Sequence, residues 1–142
     1  MDRLIEKHQL ALIDEVSMRS VLIVDDQPEI RELVKVTLEI GNFRIFSAEN
    51  GQQALNLARS VRPDIILLDV KMPGSDITGL EVCRRLKNNP ITANIYIIIV
   101  SASGQQNDLA SAKAVGADDY LIKPFSPIVL VDKIEEVVRE RL

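Results

Sequence analysis

PDIILLD, residues 63–69, contains an unbroken apolar run from Ile65 to Leu68 that ends on an aspartate. A run of this kind is typical of a strand buried on both faces, as the strands of a parallel sheet are. Two further runs share this character, VLIV at 21–24 and IYIIIV at 95–100. These stretches predict a fold built around a central sheet of buried parallel strands.

Helical patterns alternate with such strands along the chain. Strands are predicted at residues 21–24, 43–47, 65–68, 95–100 and 119–122. Helices are predicted over a pattern that stops at Gly41, then over 51–60, 78–88 and 105–115, and finally from Ser126-Pro127 onward. Five βα units with short connections commonly adopt the strand order 2-1-3-4-5. We therefore expect a doubly wound α/β fold of the flavodoxin type.

Local signals predict helix starts and inward faces. Asn50 is expected to cap the second helix, and Thr78 with Glu81 forms a capping-box pair at the third. The inward faces of the first and last helices are predicted to carry Ile30, Leu33, Val34, Thr37 and Ile40, and Leu130, Ile134, Val137 and Val138, respectively.

The composition narrows the range of functions. The net charge is −4 and the sequence has no basic stripe, which argues against direct binding to nucleic acid. No apolar run approaches the ~20 residues of a membrane span, and the amino terminus lacks the apolar core of a secretory signal. We therefore expect a cytoplasmic protein without membrane insertion. The single cysteine, Cys83, excludes an intramolecular disulfide and is interpreted as a small buried hydrophobe.

Residues 1–19 precede the predicted domain, which extends over residues 20–142. A helix of moderate amphipathicity is predicted at 2–16, with an apolar side formed by Ile5, Leu12, Ile13 and Val16. Its polar face mixes both charge signs, which favours packing on its own domain or on a second copy in a homodimer over a membrane role.

Polar side chains follow four of the predicted strands. Asp25 and Asp26 come after the first strand, Asp69 after the third, Ser101 after the fourth and Lys123 after the fifth. In open α/β sheets ligands bind at this edge, so we expect these groups to converge. Each also has a purely structural interpretation. Asp26 or Ser101 could cap the following helix, Asp69 could open a turn, and Lys123 could be a solvated lysine.

Considered together, these groups favour a functional site over the purely structural interpretation of each residue. Two unit charges ~4 Å apart repel by about 4 kcal/mol at an effective dielectric near 20, so three clustered carboxylates require a cation. Oxygen ligands in an open cleft suit Mg²⁺ or Mn²⁺, whereas zinc prefers cysteine and histidine. With Lys123 and Ser101 beside the metal, the group is a plausible phosphoryl-transfer site.

Four motifs, in order, make residues from about Ser20 onward resemble the response-regulator receiver domain of two-component signalling. They are VLIVDDQP (21–28), PDIILLDVKMP (63–73), VSA (100–102) and GADDYLIKPF (116–125). The resemblance implies that Asp69 accepts a phosphoryl group from a sensor histidine kinase or a phosphotransfer protein. It also implies a magnesium site formed by Asp25, Asp26, Asp69 and the main-chain carbonyl of Lys71.

The resemblance implies further roles around the acceptor. Lys123, in a cis bond to Pro124, pairs with the phosphoryl group, and Ser101 hydrogen-bonds to it. Ala102 leaves the approach open, and Tyr120 is the aromatic switch. The fourth helix, fifth strand and fifth helix are then expected to present the signal to a downstream protein. The family's self-phosphorylation and self-dephosphorylation do not amount to an enzyme acting on an external substrate.

Two departures from the family pattern stand beside the acceptor. The loop at 74–79 is about two residues longer than is usual in the family that this chain resembles. Lys71 occupies the position where, in that family, side chains tune the phosphoryl lifetime. The chain ends with its fifth helix, so a stand-alone regulator resembling the chemotaxis type is expected, unless the chain is a piece of a longer regulator. The alternatives are a phosphorylation-independent binding module of the same fold and, less favoured, an aspartyl-phosphate phosphatase.

Overall fold

The computed structural model describes residues 18–142. Its strands are β1 (Ser20–Val24), β2 (Arg44–Ala48), β3 (Ile65–Asp69), β4 (Tyr96–Ser101) and β5 (Asp119–Ile122). Its helices are α1 (Pro28–Glu39), α2 (Gly51–Val61), α3 (Gly79–Lys87), α4 (Gln106–Ala114) and α5 (Pro127–Arg141). The helix predicted at 2–16 lies outside the described residues.

The strands form one parallel sheet in the order β2-β1-β3-β4-β5, which confirms the predicted topology. Alternate side chains of each strand point to opposite faces, so two apolar clusters form. One cluster lies under α1 and α5, and the other under α2, α3 and α4. All five residues of β3 are buried, as expected for a strand at the centre of a sheet covered on both faces.

Most of the predicted helix signals are confirmed. The side chains of Asn50, Thr78 and Ser126 each accept a hydrogen bond from the backbone N–H three residues on. Glu81 does not complete the capping box, because its carboxylate binds Arg84 and Arg85 instead. Cys83 is buried as predicted, and burial raises the pKa of its thiol to about 11.

The inward face predicted for the first helix is wrong at Ile40. Its side chain is 90% exposed, whereas Val34 and Leu38 are buried. At 100° per residue, Ile40 lies about 200° around the helix axis from Leu38, and α1 has already ended at Glu39. The inward set of α5 is correct, with Leu130, Ile134 and Val137 buried and Val138 packed against the same cluster.

Two of the structural alternatives for the strand-end residues are also settled. Gln27, rather than Asp26, is the N-cap residue of α1, and it makes no side-chain cap. Gln105, rather than Ser101, occupies that position in α4. Asp26 and Ser101 therefore do not act as helix caps. Within residues 18–142, no helix has both the length and the hydropathy that crossing a bilayer requires.

Candidate functional site

The strand-end polar groups meet at the carboxyl edge of the sheet, as predicted. Since β1, β3 and β4 are neighbours, the residues at their ends are brought side by side. They border a cleft of about 420 Å³. Its lining comprises Asp26, Gln27, Asp69, Lys71, Pro73, Ser101, Ala102, Ser103 and Lys123.

Three carboxylates form the acidic part of the site. One oxygen from each of Asp25, Asp26 and Asp69 lies within 4.8 Å of the others. Asp25 is 1% exposed and Asp69 is 5% exposed, while Asp26 is half-buried. Hard oxygen donors with one side open to solvent fit a small divalent cation that retains part of its water shell.

Lys123 brings a positive charge into contact with two of the carboxylates. Its Nζ lies 2.8 Å from Asp25 Oδ2 and 3.4 Å from Asp69 Oδ1. Burial lowers the pKa of Lys123, but its hydrogen bonds to the two carboxylates and their charges outweigh burial and hold the pKa above its ordinary value. The main-chain N–H of Lys123 donates to the Ser101 carbonyl (2.7 Å), which fixes the lysine to the end of β4. The Lys123-Pro124 bond is cis.

Asp69 differs from an ordinary surface aspartate. Burial raises its pKa to about 6, the charge of Asp25 and a smaller effect of Asp26 add to the rise, and Lys123 opposes it. A carboxylate that is costly to ionise here gains from any added positive charge. The electrostatics of the pocket therefore favour a cation beside Asp69.

Ser101 and Tyr120 are connected through a residue that the sequence reasoning missed. Ser103 donates its main-chain N–H to Ser101 Oγ (3.2 Å), and its carbonyl accepts a hydrogen bond from the Tyr120 hydroxyl (2.7 Å). Nothing in the motif VSA signals this contact, because it depends on how the β4–α4 loop folds back over β5.

Arg31 is a second residue that sequence reasoning did not identify. Its Nη1 donates to the main-chain carbonyl of Asp25 (2.7 Å), and the Asp25 carboxylate accepts the N–H of Gln27 (2.9 Å). These bonds hold Asp25 at the end of β1. Arg31 lies one helical turn into α1, a position from which a contact with the strand end cannot be predicted by spacing alone.

Gly79, the first residue of α3, lies directly against the end of β3. A Cβ built on Gly79 would be 2.0 Å from the carbonyl oxygen of Asp69, so only glycine fits. The Gly79 N–H donates to the Val70 carbonyl (3.2 Å). The start of α3 therefore packs on the backbone that carries Asp69.

Comparison with known proteins gives one consistent result. The profile of the response regulator receiver domain matches residues 21–135. The phosphate regulon transcriptional regulatory protein PhoB of Pseudomonas aeruginosa is 43% identical over 121 residues, which cover 85% of this chain and 52% of that protein. The transcriptional regulatory protein ResD of Bacillus subtilis is 37% identical over 127 residues, which cover 89% of this chain and 51% of that protein.

Solved structures agree with the sequence relatives. Chemotaxis response regulator CheY4 of Vibrio cholerae superimposes with a TM-score of 0.79 at 32% identity, over 84% of this chain and 98% of its own. The receiver domain of DrrB, activated with BeF₃, gives a TM-score of 0.76 at 26% identity, over 87% of this chain and 99% of its own. The chain spans about half the length of the curated relatives it matches.

Proposed function

The chain belongs to the response regulator receiver domain family, and on that premise we propose that Asp69 is its phosphoacceptor. Receiver domains are the phosphoacceptor components of two-component signalling. The observation that carries the assignment to Asp69 is its place between two further carboxylates and Lys123, at the end of the central strand that borders the cleft.

In the proposed reaction, an Asp69 oxygen attacks the phosphorus of a phosphohistidine. The phosphorus–nitrogen bond breaks as the new phosphorus–oxygen bond forms, and the released imidazole takes up a proton from solvent. Since the pKa of Asp69 is about 6, this side chain is ionised in most molecules near pH 7 and can then act as the nucleophile.

Asp25, Asp26, Asp69 and the main-chain carbonyl of Lys71 are the proposed ligands of Mg²⁺ or Mn²⁺. When bound, the cation neutralises charge on the transferring phosphoryl oxygens. Lys123 supplies a second positive charge from within the site, and Ser101 donates its hydroxyl hydrogen to a phosphoryl oxygen. The single methyl group of Ala102 at the cleft leaves room for the donor.

The proposed switch follows from the new charge on Asp69. Phosphorylation creates additional acceptor oxygens, which draw the Ser101 hydroxyl toward them. Because Ser103 joins Ser101 to Tyr120, movement of Ser101 disturbs the bond that holds the tyrosine hydroxyl. The surface formed by α4, β5 and α5 would then change for a downstream protein, while a sensor histidine kinase or phosphotransfer protein supplies the phosphoryl group.

Incubation with acetyl phosphate and Mg²⁺, followed by intact mass measurement, tests the acceptor assignment. The wild-type chain should gain one phosphoryl group, and Asp69→Asn should gain none. Asp132 is an exposed aspartate on α5, so Asp132→Asn is the matched control and should label like wild type. Labelling that persists in Asp69→Asn would refute the assignment.

The same experiment distinguishes the proposed phosphoacceptor from the alternative, a binding module that works without phosphorylation. A wild-type chain that takes up no phosphoryl group from acetyl phosphate with Mg²⁺ or Mn²⁺, nor from any phosphohistidine donor, would favour a binding module that works without phosphorylation. Removal of the metal with a chelator should abolish labelling, because the clustered carboxylates then repel the incoming phosphoryl group.

A further inference from the structure

The loop that follows the acceptor is closed on itself by a tight turn. The N–H of Ser75 donates to the Met72 carbonyl (2.9 Å), with Pro73 and Gly74 at the two central positions. Gly74 has a φ of 89°, as the third residue of a type II turn requires. Met72 is 6% exposed and belongs to the apolar cluster under α2, α3 and α4, so the turn is anchored in the core.

Ser75 connects this loop to a different element of the fold. Its Oγ accepts the N–H of Gly51, the first residue of α2, at 2.9 Å. The same hydroxyl donates to the carbonyl of Ile77 at 2.8 Å. Both the donor and the acceptor function of the hydroxyl are therefore used, and one side chain joins this loop to the start of α2.

Apolar packing reinforces this junction between the loop at residues 72–77 and the start of α2. A Cβ built on Gly51 would be 2.4 Å from Ile77 Cγ1, so the isoleucine lies directly on the glycine. Ile77 is half-buried and packs against the cluster under α2, α3 and α4. Ser75 and Ile77 of this loop therefore both contact the start of α2.

The junction lies within a few residues of the proposed metal ligands. Both neighbours of Lys71 make backbone hydrogen bonds. Val70 donates its N–H to Val100 and accepts the N–H of Gly79, and the Met72 carbonyl accepts the N–H of Ser75. Within residues 18–142, the Lys71 carbonyl accepts no backbone hydrogen bond outside helices and strands. This oxygen is therefore available as a ligand, and its position depends on how the turn after it is held.

We propose that Ser75 is a positioning residue for the metal site, because it ties the loop to α2 and so fixes the backbone at Lys71. This inference rests on the proposed function, in which the Lys71 carbonyl completes the ligand set. Groups that bond a metal ligand directly typically contribute a factor of 10–100 to metal affinity. Ser75 acts on Lys71 through the intervening turn, so we expect an effect at the lower end of that range. Ser75→Ala removes the bridge without adding bulk.

Mg²⁺ titration by calorimetry tests the proposal directly. Ser75→Ala should bind Mg²⁺ about tenfold more weakly than wild type, and Gly51→Ala should do the same by pushing Ile77 away from α2. Ser75→Thr keeps a hydroxyl and should retain most of the affinity. Ser60→Ala, which removes an exposed hydroxyl of α2 bonded to its own helix, is the control and should bind like wild type.

Phosphorylation by acetyl phosphate should follow the same pattern. In Ser75→Ala the rate should fall at low Mg²⁺ and recover at saturating Mg²⁺, because the chemistry at Asp69 is intact. A variant that unfolds more easily but binds Mg²⁺ with wild-type affinity would show that Ser75 acts on stability alone, and would overturn the proposal. A wild-type chain that binds no Mg²⁺ would instead contradict the proposed function.

Amide exchange of the wild-type protein provides a test that needs no variant. Coupling is reciprocal, so if the bridge strengthens Mg²⁺ binding, Mg²⁺ must strengthen the bridge. The Gly51 N–H, bonded to Ser75, should exchange about tenfold more slowly with saturating Mg²⁺. The nearby Gln53 N–H, bonded to Asn50 within the same helix start, is the internal control. Equal exchange of Gly51 with and without Mg²⁺ contradicts the proposal.

Discussion

Asp69 combines low exposure with a position between other carboxylates, and both features make its charged form costly. Its pKa of about 6 lies above the ordinary value of 3.8, mainly because of burial and then because of Asp25. Raised pKa values of this kind are common at functional sites, and here the raised pKa costs stability in the metal-free protein. The same property makes its contribution to stability measurable.

The metal-free protein should be stabilised by Asp69→Asn at pH 7. The folded pKa lies above the unfolded one, so between about pH 4 and 6 the folded state binds more protons than the unfolded state. The contribution of Asp69 to stability therefore falls as pH rises through this window, and asparagine avoids that loss. Denaturant unfolding in the presence of a chelator should show a gain of up to about 3 kcal/mol at pH 7 that vanishes below pH 4.

Two comparisons control this measurement. Asp132→Asn should not change the pH dependence of unfolding, because that side chain is exposed on α5. Equal stability of wild type and Asp69→Asn at pH 7 without metal would contradict the raised pKa.

Gly79→Ala should impair both the fold and the site. The added methyl group would overlap the Asp69 carbonyl, and backbone on each side leaves little room to relax. We expect a loss of about 1–3 kcal/mol of unfolding free energy and slower labelling by acetyl phosphate. Gly104→Ala is a suitable comparison, because the nearest atom there is the end of the flexible, half-exposed Ile122 side chain. Normal labelling of Gly79→Ala would contradict the close packing of α3 on the acceptor strand.

At the scale of elements, α4 is the most weakly anchored helix beside the site. Among its residues only Ala112 is buried, whereas α3, of the same length, buries Gly79, Val82, Cys83 and Leu86. Few apolar anchors mean a small free-energy cost for displacing a helix. This difference makes α4 the element most readily moved when the β4–α4 loop changes.

Beryllofluoride should therefore change amide exchange over residues 101–125, which include the β4–α4 loop, α4 and β5. The reason is that the Ser101–Ser103–Tyr120 contacts join the acceptor pocket to this region. Residues 80–87 of α3 are the internal reference and should exchange as before. Unchanged exchange across 101–125 in a protein saturated with beryllofluoride would exclude the proposed route.

For the whole molecule, the proposed cation links the separate strand ends into one unit. Its carboxylate ligands come from the ends of β1 and β3, and Lys123 reaches Asp25 across 98 residues of sequence. The unfolded chain has no such cluster, so a ligand bound here stabilises the folded state as a whole.

Mg²⁺ at one hundred times its dissociation constant should raise the unfolding free energy of wild type by about 2.7 kcal/mol. Asp69→Asn should gain less, because it lacks one of the anionic ligands. As a result, the stability difference between wild type and this variant should shrink as Mg²⁺ is added. Thermal or denaturant unfolding across a Mg²⁺ series measures this, and an identical response of both proteins would argue against Asp69 as a ligand.

The sequence by itself determined the strands, their order and the edge at which the acidic groups meet. Runs such as IILL carry this information locally, because burial on both faces requires apolar side chains at every position. Asp25 and Asp69 could be located for the same reason, since each directly follows such a run. Lys123 could be located because it follows the predicted edge strand DYLI.

Only the tertiary structure decided how the connecting segments pack. Ile40 belongs by spacing to an apolar helix pattern, yet the helix ends before it and leaves it exposed. No sequence periodicity relates the residues of the Ser75–Gly51 bridge or of the Ser103–Tyr120 contact. The raised pKa of Asp69 likewise depends on its burial and on the neighbouring Asp25. Such contacts depend on where whole elements lie in space. They therefore follow from the packed fold and cannot be read from the order of the residues.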